Sequence, residues 1–195
     1  MDITASISLI LFWLIFFRRF FFVNPFCYAT SEPMDTAFPS SRILGEWYRR
    51  GCRGEVDPYY YPYYTSIPFL HAYYPPHVIQ AYIGSFLGLD KAFILYSFTM
   101  VAHFLFASIG AYLLFMPLGE VTAFFGAITL AYMGYNIKQN SCINYTVAWT
   151  PWLLLGVTTH NPWLTGLAIG MGTLAGYWPL WLYMVPFSCL LWLFF

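Results

Sequence analysis

The sequence predicts an all-α, polytopic helical membrane protein. Of its 195 residues, 60% are hydrophobic and only 8% are charged, and the mean hydropathy is +0.62. A soluble domain carries roughly 25% charged residues, so this chain has too few charges to cover a surface facing water. The net charge is zero, which leaves no basic field to attract nucleic acid.

The charged residues are unevenly distributed along the chain. Nine of the sixteen lie in residues 24–76, and only four lie in residues 77–195. This distribution predicts one hydrophilic loop of about fifty residues in an otherwise membrane-embedded chain. We expect any chemistry on polar substrates to occur where that loop meets the bilayer.

The first transmembrane helix is predicted at the amino terminus. An apolar run, Ile3–Phe17, continues past Arg18 and Arg19 to Val23. With a rise of about 1.5 Å per residue, the stretch can span the bilayer if the two arginines extend to the interface. A cleaved signal peptide is disfavoured, because Asp2 stands where such a peptide is positive and no small-x-small cleavage site follows.

The loop is predicted to contain one amphipathic helix, from Pro39 to Arg50, which ends at Gly51. One face carries apolar side chains and the other carries charged ones: Ile43, Leu44, Trp47 and Tyr48 against Arg42, Glu46, Arg49 and Arg50. Glu46 is placed to pair with Arg42 or Arg50 at a spacing of four. This division is typical of a helix that lies in the membrane interface.

The rest of the chain predicts five further spans. Residues 77–89 are apolar but reach only about 20 Å as a helix, so we expect an interfacial or re-entrant piece there. The predicted spans are Ala92–Met116, Val121–Ile137, Val147–Thr159, Trp163–Tyr177 and Leu180–Phe195. They are separated by a turn at 117–120, a polar loop at Lys138–Tyr145, and breaks at 160–162 and 178–179. Because the last span reaches the final residue, we expect the chain to be the amino-terminal part of a longer protein.

Charge and cysteines leave two questions open. The arginines of the loop favour a cytoplasmic location by the positive-inside rule, but the loop also carries five acidic residues and can translocate as a unit. Cys27 and Cys52 lie in the loop, where they form a disulfide bond or remain two free thiols.

A series of short motifs runs through the chain. In the loop they are Asp35, Phe38-Pro39, Leu44, Trp47, Gly51, Asp57-Pro58, Ile67-Pro68-Phe69 and Tyr74-Pro75-Pro76. Later they are Gly110–Leu114 with Leu118-Gly119, Ala148–Trp152, and Ala175-Gly176-Tyr177 with Tyr183. In this order the motifs resemble those of YfhO-like bacterial membrane proteins and, more broadly, of GT-C glycosyltransferases. The resemblance covers nearly the whole chain.

The resemblance implies a location and an activity. It implies a single GT-C-like domain over residues 1–195 in the bacterial cytoplasmic membrane, with residues 24–76 as an extracytoplasmic loop. It implies transfer of a sugar from a polyprenyl-phosphate donor to a glycan or another envelope polymer. The chain departs from the pattern at Met116 and Pro117, where relatives often carry arginine, and it lacks the family's later spans and soluble domain.

Sugar transfer to a hydroxyl needs a carboxylate that accepts the acceptor's proton. The family's loop acid corresponds to Asp35, whose alternative role is to cap the amphipathic helix. Glu32, three residues earlier, is a second candidate for the same role, and its alternative is a solvated loop acid.

Cationic and polar side chains must hold the leaving phosphate. The candidates for substrate binding are Arg42, Arg49, Arg50, Asp57, Lys138, Asn140 and Asn144. For the arginines the alternative is attraction to anionic lipid headgroups, and for Lys138 it is contact with the interface. The tyrosines from Tyr59 to Tyr74 can stack on sugar rings, although anchoring at the interface is the stronger interpretation.

Two other function classes remain open. A transporter subunit for a lipid-linked substrate needs charged or broken helices at the bilayer midplane, where the spans offer mainly His103. For His103 a buried structural role is favoured over a proton relay. A non-catalytic scaffold or a truncated relic of a longer enzyme is the other class. The sequence contains no cofactor-binding motif and no metal-ligand spacing.

Overall fold

The computed structural model describes residues 3–26, 38–51, 73–132, 141–175 and 178–194, and throughout these residues the ordered elements are helices. The all-α prediction is therefore confirmed. The α-helices are α1 (Ile3–Phe16), α2 (Phe38–Arg49), α3 (Pro75–Gly84), α4 (Leu89–Phe115), α5 (Glu120–Tyr132), α6 (Ser141–Thr158), α7 (Pro162–Leu174) and α8 (Trp178–Phe194).

Helix α4 is the centre of the fold. It packs against α1, α3, α5 and α6. Its fully buried side chains lie on one broad side of the helix, and they include Phe93, Tyr96, Met100 and Phe104. The opposite side is also largely apolar but is only partly covered, and Phe98 on that side is exposed.

Small residues bring α5 close to α4. Ala123, Ala127 and Ala131 recur at a spacing of four, and none of them exposes more than 2% of its surface. They share clusters with Ala107 and Ala111 of α4. Because alanine adds little bulk, the two backbones can approach closely, as they do between transmembrane helices.

Tryptophan side chains tie the outer helices to their neighbours. The Nε1–H of Trp13 in α1 donates to the carbonyl of Val101 in α4 at 2.8 Å. Trp152 of α6 donates to Phe106 of α4 at 3.1 Å. Each bond satisfies an indole N–H, buried for Trp13 and half-buried for Trp152, and fixes the position of one helix relative to α4.

Several predicted boundaries are confirmed. Helix α2 lies within one residue of its predicted range, and Gly51 after it has a φ of 66°, a conformation that favours glycine. A 3₁₀ turn over Met116–Leu118 precedes Gly119, which has a φ of 100°. The break near 160 is also present, and there the Asn161 side chain caps α7 by accepting from the Leu164 N–H at 3.0 Å.

Other boundaries were predicted incorrectly. Helix α6 begins at Ser141, so residues 141–145 are not part of a polar loop. Helix α8 begins at Trp178, and Pro179 occupies its first turn. In the first turn the backbone N–H groups have no partner within the helix, so the missing N–H of proline costs the helix no hydrogen bond. The first helix ends at Phe16, and a π-helical turn over Arg19–Val23 follows it.

Within the described residues, one helical segment is long and apolar enough to cross a bilayer by itself. This segment is α4 with the turn after it, Leu89–Leu118, which has 30 residues. The shorter apolar segments include α1, with 14 residues, and α5, with 13. The arrangement of six spans therefore remains a prediction.

Candidate functional site

The predicted amphipathic helix, α2, packs on α3. A Cβ atom added to Gly45 would lie 2.2 Å from the carbonyl oxygen of Ala81, so only glycine allows this approach. Next to it, the buried Ser41 hydroxyl donates to the side-chain oxygen of Gln80 at 3.1 Å. The start of α2 also reaches α4, where the ring of Phe38 packs edge-on against Phe93. The candidate site is therefore built around the junction of α2, α3 and α4.

Arg42 is directed toward this junction. Its guanidinium donates to the backbone carbonyls of Gly84 and Leu87, the latter at 3.1 Å. The last carbonyls of a helix have no partner within the helix, and they form the negative end of its dipole. Arg42 therefore satisfies the carboxyl end of α3 and joins α2 to the turn before α4. This contact accounts for its guanidinium without a substrate phosphate.

We expect Arg42→Gln to lower the free energy of unfolding by about 1–3 kcal/mol, because charge-assisted bonds to the two carbonyls are lost. The measurement is thermal or chemical unfolding of the purified protein in detergent. Arg50→Gln is the matched control, since Arg50 is exposed and its side chain has no partner within the described residues. Equal stability of the two variants would contradict the structural role of Arg42.

Arg49 and Arg50 lie at the exposed end of α2. Arg49 pairs with Glu46 at 2.6 Å, and its guanidinium carbon lies 5.6 Å from the centre of the Phe86 ring. The predicted pairing of Glu46 with Arg42 or Arg50 was therefore wrong. Arg42 is bound to the end of α3, and Glu46 pairs with Arg49 at a spacing of three. The structure thus separates Arg42 from the other two arginines.

Three buried polar side chains form a chain of hydrogen bonds. The Trp149 Nε1–H donates to the Tyr74 hydroxyl at 3.0 Å, and that hydroxyl lies 2.7 Å from Nε2 of His103. Nδ1 of His103 lies 2.6 Å from the carbonyl oxygen of Thr99. A carbonyl only accepts, so Nδ1 carries the hydrogen, and Nε2 accepts from Tyr74. The pattern requires a neutral imidazole in one tautomer.

Aromatic and polar side chains enclose this hydrogen-bond chain. The Tyr145 ring lies 4.3 Å from the His103 ring and 5.5 Å from the Tyr74 ring, measured between centroids. His77 of α3 is also buried and lies near Tyr145. Burial raises the pKa of the Tyr74 hydroxyl, which keeps it protonated and able to donate. The cluster links the start of α3 to α4 and α6.

Several predicted site residues lie outside the described residues. They are Glu32, Asp35, Asp57, Lys138 and Asn140, together with Cys27 and Cys52.

Two further predictions are corrected. Asn144 lies inside α6 and is buried, so it is not a residue of a polar loop. Tyr74 exposes only 1% of its surface and therefore neither stacks on a sugar in solution nor anchors at an interface. His103 is buried and hydrogen-bonded, as expected for a structural residue.

The predicted site residues do not include His77, Gln80 or the indole N–H of Trp149. A usable signal was present in the spacing of His77 and Gln80, which lie three residues apart in an otherwise apolar segment. That spacing places them on one side of a helix, and a polar pair on one side predicts a shared buried partner surface. Both side chains are buried in the structure.

The described residues offer two chemical environments. At the end of α2, Arg49 and Arg50 are exposed and can bind phosphate groups. In the interior, Tyr74, His103 and Trp149 satisfy one another and hold three elements together. No protein-family model, curated protein or solved structure matches this chain.

Proposed function

We propose that the chain is a multi-pass protein of the bacterial cytoplasmic membrane. The distribution of side chains supports this proposal. Large apolar side chains face outward on every outer helix, among them Ile3 and Ile15 of α1, Phe125 of α5, Trp163 of α7, and Leu182 and Tyr183 of α8. Polar side chains such as His77, Gln80, His103 and Ser108 are buried. Lipid is the solvent in which apolar side chains face outward at little cost.

The length of the first helical stretch is compatible with a membrane span. Helix α1 and the π-helical turn after it cover most of residues 3–23, and about 20 residues span the hydrocarbon core. Arg18 and Arg19, near the end of this stretch, are exposed, as expected for side chains that extend to the headgroups. The alanine contacts between α4 and α5 also suit packing within lipid.

The proposed topology places residues 24–76 outside the cytoplasm and the turn at Glu120 inside it. In a variant without native cysteines, a cysteine at Arg50 should react with an impermeant thiol reagent in intact cells. A cysteine at Glu120, the matched control, should react only after the membrane is opened. Both positions are exposed on the protein surface. The reverse pattern would contradict the topology, and labelling of both positions only in lysed cells would contradict an external loop.

We propose that the activity is transfer of a sugar from a polyprenyl-phosphate donor to an envelope glycan or polymer. The observation that supports it most directly is the exposed pair Arg49 and Arg50 at the end of an amphipathic helix. Guanidinium groups at that position can bind a lipid-linked phosphate at the membrane surface. Asp35, three residues before α2 in the sequence, supplies the general base in this proposal.

The direct test is transfer of a radiolabelled hexose from polyprenyl phosphate in membranes that contain the protein. Label should enter a membrane or envelope acceptor in these membranes and not in matched membranes without the protein. If no label is transferred above the control from any of a panel of hexose donors, the proposed activity of this chain is wrong.

A non-catalytic scaffold is the second candidate, and the contacts of Arg42 favour it. The guanidinium that sequence patterning assigns to the substrate instead holds α2 against α3 and the turn before α4. A protein of this kind would retain its stability and membrane insertion without transferring sugar.

A further inference from the structure

An open cleft lies between the π-helical turn after α1 and the first half of α4. Its volume is about 490 Å³, within the range of roughly 300–1,000 Å³ that small-molecule sites occupy. Its walls are aromatic and aliphatic, and one charged side chain lines it: Phe20, Phe21, Ile94, Leu95 and Phe98, with Lys91. The cleft therefore combines an apolar surface with a single cation.

The shape of the cleft depends on two local features. In the π-helical turn, the Asn24 N–H donates to the Arg19 carbonyl at 2.7 Å, and this wider turn directs Phe20 and Phe21 toward α4. Trp13 lies next to the walls, with its ring 4.8 Å from Phe21 and 6.5 Å from Phe98. Because Trp13 is itself fixed to the Val101 carbonyl, the apolar walls are formed before any ligand arrives.

The cation of the cleft is available to a ligand. Lys91 is exposed in the first turn of α4, and its ammonium group has no partner within the described residues. Asp90, the adjacent acid, does not line the cleft. An apolar chain along the aromatic walls with a negative group at Lys91 would complement both features.

We propose that this cleft binds the acyl chain of an anionic phospholipid, with the lipid phosphate on Lys91. The residues involved differ from those assigned to sugar transfer. The proposal rests on the membrane location proposed above, which cysteine labelling tests separately. Its own test requires no sugar transfer, so failure here leaves the proposed transferase activity unaffected.

The test is native mass spectrometry of the 195-residue chain in detergent. The probes are dioleoyl phosphatidylglycerol, dioleoyl phosphatidylcholine with the same chains, and inorganic phosphate. We expect phosphatidylglycerol to be retained about tenfold more than phosphatidylcholine, as one charge-assisted contact allows, and inorganic phosphate not to be retained. Lys91→Gln should reduce retention of phosphatidylglycerol to that of phosphatidylcholine, whereas Lys91→Arg should preserve it.

Two further variants distinguish a specific lipid-binding site from non-specific electrostatic attraction. Arg18→Gln removes one exposed positive charge that does not line the cleft, and it should leave retention unchanged. Leu95→Trp fills the cleft and should reduce retention of both lipids. If Leu95→Trp does not fold, as judged by its unfolding curve, the two Lys91 variants alone test the proposal. Equal retention of the two lipids, an unchanged Lys91→Gln variant, or retention of inorganic phosphate would each overturn the proposal.

Discussion

Replacing Tyr74 by phenylalanine is expected to destabilise the fold strongly, although phenylalanine fills nearly the same space. The change removes one hydroxyl but leaves two buried groups without their partner, the indole N–H of Trp149 and Nε2 of His103. Leaving a buried polar group unsatisfied costs about 1–3 kcal/mol, so the expected loss in free energy of unfolding is about 2–6 kcal/mol. Chemical unfolding in detergent, followed by circular dichroism, measures it.

Tyr73→Phe is the matched control. Tyr73 is adjacent in sequence but 53% exposed, so removing its hydroxyl should change stability by less than about 0.5 kcal/mol. A double-mutant cycle of Tyr74→Phe with Trp149→Phe refines the test. Because the two side chains share one hydrogen bond, the double variant should lose less than the sum of the single losses. Additive losses, or a stable Tyr74→Phe variant, would show that the hydrogen-bond chain does not hold the helices together.

The sequence pattern does not predict that Tyr74 is buried. Tyr74 ends a segment rich in tyrosine and proline, and such a composition is typical of a membrane interface. What buries this tyrosine is contact with His103 in α4 and Tyr145 in α6, which lie 29 and 71 positions further along the chain. Contacts between residues so far apart in the sequence do not produce a local periodic pattern.

Helix α2 shows what patterning does predict. Its length and end followed from the spacing of Ile43, Leu44 and Trp47 and from the glycine at position 51. The same pattern placed Arg42 on the charged face, and the structure keeps it on that side of the helix. The error concerned the partner, because a helical pattern distinguishes polar from apolar sides but does not show whether the polar side meets water or the carbonyls of another helix.

The start of α6 was missed for a related reason. Residues 138–145 are polar in composition, and polar segments between apolar runs usually form loops. Polar residues such as Ser141 and Asn144 are nevertheless compatible with the first turn of a helix, because the backbone N–H groups there have no partner within the helix and can bond to polar groups. Burial of Asn144, Tyr145 and Thr146 against the core then stabilises helix where composition alone favours a loop.

Asp35→Asn is expected to lower the rate of sugar transfer by about 10²–10⁴-fold, the usual contribution of a general base. Asparagine keeps the size and the oxygen of aspartate but cannot accept a proton at neutral pH. Asparagine and aspartate cap helices about equally well, so Asp35→Asn should leave transfer unchanged if Asp35 only caps the helix. The two roles of Asp35 therefore predict different results for a single substitution.

The measurement is transfer of labelled hexose from polyprenyl phosphate in membranes that carry each variant at matched levels. Glu32→Gln is the control, because it removes a second carboxylate only three residues away and should leave most of the activity. Membrane insertion and thermal stability should be the same for both variants, since neither substitution changes side-chain volume appreciably. Full activity of Asp35→Asn would assign Asp35 a structural role, and a loss confined to Glu32→Gln would make Glu32 the base. Loss in Asp35→Asn alone, with stability unchanged, would place the base at Asp35.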